Sequence, residues 1–233
     1  MLRCLLKVKE ALSAMVISNQ WSIWKQSNSE RTNKVRDLIL NLNWWDNVEY
    51  VLNFIEPIMS MLRYTNIDAT CLGEVYDGMD TMVEKIKVII AQREKDPQEF
   101  FFKRVEQIIH HRWNKMTTPL HLLAHALNPM YYSSEVLSLP GRTKPYRDPE
   151  VAAGYKRSFA RLYSDPEVVD GVRKEFGLFI SGRSHSPCAI NDQSKIDGVT
   201  WWYLHGQDFM FLQPLAIKIL SQGRGNEALG CKP

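Results

Sequence analysis

The sequence predicts an all-α or nearly all-α fold. Two observations carry this: apolar residues recur at steps of three and four over long stretches, and Asp-Pro-Glu or Asp-Pro-Gln helix starts recur along the chain. A third supports it, because no run of alternating apolar and polar residues is long enough to specify a strand.

The first series is Trp44, Val48, Val51, Ile55, Ile58 and Leu62, widened by Trp45, Leu52 and Met59. It predicts a buried helix. Pro57 lies inside it and lacks a backbone donor, so the expectation is a kink or two abutting helices near Glu56. A second series runs through Leu72, Val75, Met79, Met82, Ile86 and Ile89, and a third through Phe101, Val105 and Ile108 with Phe102, Ile109 and Trp113 alongside. Three long helices in succession predict a bundle.

Asp96-Pro97-Gln98-Glu99 supplies a cap, a proline at the first helical position and an acid three residues after the cap. Asp148-Pro149-Glu150-Val151 and Asp165-Pro166-Glu167-Val168 repeat the signal seventeen residues apart. Each predicts a short helix. The stretch SLPGRTKPYR, Ser138 to Arg147, is the best candidate boundary, which divides the chain into 1–137 and 138–233. A second loop is expected from Ser181 to Gly198.

In the 233 residues, 45% are apolar and 11% aromatic, ample for a packed core. The net charge of +3 is too small to demand a nucleic-acid or anionic membrane partner. Cys4, Cys71, Cys188 and Cys231 contain no C-x-x-C pair, so neither a zinc knuckle nor a dense disulfide framework is read, and a reducing compartment is the simpler expectation. The start, MLRCLLKVKEALSAMVIS, is interrupted by Lys7, Lys9 and Glu10. No stretch approaches the ~18 apolar residues that span a bilayer. The expectation is a soluble intracellular chain with no membrane partner.

Four groupings invite a chemical reading. His110, His111, His121 and His125 fall within sixteen residues, but Leu122 follows His121 where a zincin places its glutamate, so ordinary half-buried histidines are expected and no metal. Asp77, Asp80 and Glu84 project opposite Leu72, Val75, Met79 and Ile86 and read as a solvated face. GRGNEALG lacks the Lys-Ser/Thr of a phosphate loop. Arg142, Lys144, Arg147, Lys156, Arg157 and Arg161, interleaved with Tyr146, Tyr155 and Phe159, form the densest basic patch and the candidate DNA contact. No catalytic residue and no cofactor is assigned.

The phrases NWWDNVEYVLNFIEPIMSMLR, CLGEVYDGMDTMVEKIKVII, RWNKMTTPLHLLAHALNPMYYSSEVL and WWYLHGQDFMFLQPLAIKILSQ, in that order, resemble the C-terminal half of plant hAT-superfamily transposase-like proteins. That resemblance implies a helical insertion over roughly 1–137 and a dimerisation region over the rest, especially Trp201 to Gln222, and a nuclear location. It implies dimerisation anchors at Trp201, Trp202, Phe209, Leu212, Leu215, Ile219 and Leu220, with itself or a related hAT-like protein as partner.

In that family three carboxylates hold two metal ions for strand transfer. The resemblance places the first two upstream of anything corresponding to Met1. The third belongs to a serine-rich S-x-x-x-E-R-type motif that Glu227 does not reproduce. The functional expectation is a truncated or domesticated, catalytically inactive transposase-like protein acting through dimerisation. A module contacting DNA without sequence specificity is the alternative. Pro214 predicts a last helix that begins only there, with Gln213 outside it.

Overall fold

Long apolar periodicity and well-marked starts yield helices throughout. In the computed structural model, which describes residues 1–24, 29–65, 72–93, 100–183 and 185–222, every regular element is helical and no strand occurs among the described residues. The chain forms two units, one of residues 1–62 with 84–99, the other of 63–83 with 100–233. The stretch around Ser138 falls inside the second unit and does not separate the two.

The first unit contains α1 (Leu2–Lys7), α2 (Lys9–Ile17), α3 (Asn19–Trp24), α4 (Ser29–Leu40), most of α5 (Leu42–Thr65) and the second half of α6 (Glu74–Arg93). Its buried residues include Val16, Trp45, Val48, Ile86 and Ile90. The Trp45 indole N–H donates to the Ile39 carbonyl at 2.7 Å, which joins α5 to the end of α4. The Arg93 guanidinium lies over the Tyr50 ring and donates to the Asp46 carbonyl and the Asn47 side chain.

The reading of α5 changes at two points. The helix is one continuous element through Pro57, which is buried, so the chain does not divide into two abutting helices there. Packing of the ring offsets the lost backbone bond, since proline removes one donor and leaves the rest of the ladder intact. The apolar face is also only partly covered, for Val51, Met59 and Leu62 are exposed.

The second unit contains the first half of α6, α7 (Phe100–Met116), α8 (Pro119–Leu127), α9 (Ser134–Leu137), α10 (Pro149–Leu162), α11 (Pro166–Ser181), α12 (Pro187–Asp192), α13 (Gly198–His205) and α14 (Leu212–Leu220). Residues Leu122 to Leu127 of α8 are all buried, so this helix is enclosed on every side. α10 packs most closely on it, at Gly154, where a Cβ would overlap Leu122 Cβ and Cδ1. The absence of a side chain there sets the approach of the two helices.

Both predicted Asp-Pro starts form as read. The Asp148 carboxylate accepts from the backbone N–H groups of Glu150 and Val151 at 2.8 and 3.3 Å, and Asp165 accepts from Glu167 at 2.9 Å. The Asp96 start lies outside the described residues. The loop expected between Ser181 and Gly198 contains a further helix, α12, with Ser186 accepting from Ala189 N–H at 3.1 Å and Pro187 opening the first turn. α14 begins at Leu212 and includes Gln213, so Pro214 sits within its first turn. The missing N–H of Pro214 costs nothing there, because first-turn donors have no intrahelical partner.

Candidate functional site

The tryptophan pair of α13 organises the C-terminal core. Trp202 donates from its indole N–H to the Leu127 carbonyl at 2.8 Å, and Trp201 donates to the Ala189 carbonyl at the same distance. Phe179 of α11 packs against both indoles and Phe209. Trp201, Trp202, Phe209, Leu212, Leu215, Ile219 and Leu220 are all buried within this chain, none more than 6% exposed. The residues expected to anchor a dimer therefore form the chain's own core. What stands outside is a different set from the same segment: Tyr203, Leu204, Met210 and Phe211, of which Met210 is 79% exposed.

A polar network joins the starts of α6 and α10 to the end of α7. The Tyr76 hydroxyl donates to Asp148 Oδ2 at 2.8 Å, and the Trp113 indole donates to Glu150 Oε1 at 3.2 Å. Arg142 pairs with Asp77 and donates to Thr81 Oγ1 at 2.9 Å. Burial raises the Asp77 carboxyl, against the Arg142 charge and hydrogen bond that lower it. Burial also raises Asp80, to about 6, with Arg142 opposing and Asp148, Asp77 and Glu150 adding to the rise. Asp80 keeps an open side toward water, which screens part of this effect.

This network revises two readings. Asp77 is half-buried and ion-paired, not part of a solvated face, whereas Asp80 and Glu84 are exposed as expected. Arg142, expected as a possible DNA contact, has its guanidinium committed to Asp77 and Thr81. Of the other bases, Arg147, Lys156, Arg157 and Arg161 are exposed and Lys144 is half-buried. Two of the three interleaved aromatics turn inward: Tyr155 and Phe159 pack on Phe176 at ring separations of 4.7 and 5.5 Å, while Tyr146 is half-buried. Those two rings offer no stacking platform to a base.

Of the four clustered histidines, His110 and His111 are exposed where the sequence predicts half-buried side chains, and His121 and His125 are structural groups. His121 Nδ1 accepts from the Thr118 backbone N–H at 3.1 Å and closes the start of α8. His125 is enclosed between the Tyr76 and Tyr131 rings, with Nδ1 3.2 Å from the Gly73 carbonyl. Burial lowers its pKa to about 4, so it is neutral and donates from Nδ1. Glu227 and the GRGNEALG segment lie outside the described residues.

In the first unit, an open groove of about 970 Å³ is lined by Asp46, Glu49, Glu56 and Glu84 with Lys85, Arg93 and the apolar Val88 and Ile89. Its carboxylates outnumber its cations, and sequence periodicity, which reads one helix at a time, gave no signal for it.

These features define an all-α protein with a tryptophan-centred C-terminal core. No family model, curated protein or solved structure matches the chain. No described helix is long and apolar enough to cross a membrane.

Proposed function

We propose that this chain is a hAT transposase-like association module that pairs with a second copy of itself or a related hAT-like protein, and that it carries out no strand transfer of its own. The observation that carries the reading is the exposed apolar group Tyr203, Leu204, Met210 and Phe211, standing directly outside the buried tryptophan core. Two of these residues follow Trp202 on α13, and two precede α14, in the segment that resembles the family's dimerisation region. Exposed aromatic and methionine side chains on a rigid base suit protein association. A nuclear location goes with the same resemblance.

The DNA-contacting alternative is weaker on this geometry. It loses Arg142 to an internal ion pair and Tyr155 and Phe159 to the core, and it retains Tyr146 with the charges on and beside α10.

Light scattering of the purified chain across a concentration series tests association. A dimer that Leu204→Asp and Met210→Asp dissociate, with helix content unchanged, supports the reading. A monomer at every concentration overturns it. Substitutions at Trp202 or Leu215 do not discriminate, because both remove core packing. Metal-dependent cleavage of duplex DNA by the chain would overturn the catalytic part.

A further inference from the structure

Three side chains of different chemistry meet at the junction of α12 and α13. Cys188 and Asp192 stand one turn apart on α12, and His205 ends α13. Asp192 Oδ2 lies 3.6 Å from Cys188 Sγ and 3.0 Å from His205 Nε2, and the three atoms all fall within 4.8 Å of one another. A tetrahedral zinc-class ion has bonds of about 2.3 Å to sulfur and about 2.0–2.1 Å to nitrogen and oxygen, which sets its ligand atoms roughly 3.3–3.6 Å apart. The two spacings from Asp192 lie close to that frame, and the sulfur and imidazole nitrogen are near enough to each other for a small side-chain adjustment to complete it.

The scaffold holds this arrangement. The Trp201 indole donates to the carbonyl of Ala189, the residue after Cys188, and its ring lies 5.5 Å from the His205 ring. One fully buried indole thus sets α12 against α13 and stands beside the imidazole. Ser186 and Pro187 fix the first turn of α12 and with it the position of Cys188. Cys188 is exposed, while Asp192 and His205 are partly buried, so the cluster opens to solvent on the sulfur side.

We propose that Cys188, Asp192 and His205 bind one zinc-class divalent ion, leaving a fourth position open to water. Thiolate and imidazole select a borderline-soft transition ion over magnesium or calcium. Three protein ligands with an open side describe a labile or reactive site, in contrast to the closed four-ligand sites that hold folds together. Without an ion, the Asp192 charge disfavours the thiolate and raises the Cys188 pKa, with Lys195 opposing. An entering cation reverses that balance, since it stabilises thiolate and carboxylate together. Binding releases the thiol proton and breaks the Asp192–His205 pair. The proton His205 holds on Nε2 toward Asp192 is lost from that atom as the ring takes the Nδ1–H tautomer, and the freed Nε2 and Asp192 oxygen turn to the metal.

The test is cobalt(II) titration of the metal-free full chain under reducing conditions. A one-equivalent thiolate-to-cobalt charge-transfer band is expected, and zinc displaces it. The band should persist in a Cys4→Ser, Cys71→Ser, Cys231→Ser background and vanish on Cys188→Ser. Asp192→Asn and His205→Gln should each weaken binding at least about tenfold. Far-ultraviolet circular dichroism confirms that each variant folds, and Cys188→Ala serves if Cys188→Ser does not. No band in the wild-type chain overturns the proposal. A band that survives loss of Cys188, or one indifferent to both Asp192 and His205, overturns it equally.

Discussion

The Trp202 indole N–H donates to the Leu127 carbonyl at 2.8 Å, and neither residue is exposed to solvent. That carbonyl belongs to the last turn of α8, where helix geometry leaves acceptors without an intrahelical partner. Trp202→Phe removes the donor but most of the ring volume stays. It should cost about 1–3 kcal/mol, the penalty of a buried unpaired carbonyl. Trp202→Ala adds a cavity and should cost about 3–5 kcal/mol. Chemical denaturation of the two variants beside wild type separates these contributions.

Gly154 gives a second prediction. A methyl group there would overlap Leu122, so Gly154→Ala should destabilise by about 1–3 kcal/mol even though alanine favours helix. Leu122→Ala alone should cost about 2–5 kcal/mol by leaving a cavity. The double variant should be only partly more stable than the sum of the two implies, because losing Leu122 Cγ and Cδ1 relieves those overlaps while the overlap with the residue 122 Cβ remains. Strict additivity in the denaturation cycle would show that α8 and α10 do not pack at these residues.

His125 should remain neutral well below the ordinary histidine range. Its folded pKa, lowered to about 4, lies under the ordinary 6.5, so between those values the unfolded chain binds more protons than the folded one. The stability it contributes is complete above about pH 6.5 and declines as pH falls toward 4. Imidazole chemical shifts followed by NMR check this directly. A His125 resonance titrating near 6.5 in folded protein would contradict its enclosure.

Asp80 should act with the opposite sign. Its folded carboxyl, raised to about 6 from 3.8, holds a proton that the unfolded chain has already lost between those values. The destabilisation is thus present above about pH 6 and disappears below about pH 4. Asp80→Asn should melt higher than wild type at neutral pH, and the two curves should converge in acid. Equal melting temperatures at both pH values would mean that water at the rim screens the neighbouring carboxylates fully.

Local signals in the sequence were the ones that held. Asp148 and Asp165 cap helices because the aspartate side chain and the following proline act within one turn, and no distant partner is needed. Leu72, Met82 and Ile86 are buried on the face their spacing marks. Pairings across the chain left no such trace. Arg142 meets Asp77 over 65 positions, and the periodicity that set Asp77 opposite the apolar face had no term for a base arriving from elsewhere. Cys188, Asp192 and His205 share no familiar spacing, because α12 and α13 meet through the Trp201 indole. The i, i+4 placement of Cys188 and Asp192 was the one available hint, and it carried weight only once α12 was seen as a helix.

The tryptophan pair shows the same limit differently. Aromatic density marked Trp201 and Trp202 as anchors, but composition does not distinguish an anchor for a neighbouring molecule from one for the next helix. Their two indole N–H bonds to Ala189 and Leu127 show what they hold in this chain.

The start of α14 is closed from outside its own segment. The Glu175 carboxylate of α11 accepts from the backbone N–H groups of Phe211 and Leu212 at 2.8 and 2.7 Å, supplying the cap that α14 has no local residue to provide. A peptide cut from Phe209 to Gln222 should consequently lose its helix in water. A backbone cleavage at Gly182–Arg183 should leave two fragments that recover a capped α14 only by reassociating, because the accepting carboxylate and the helix it closes then belong to separate chains.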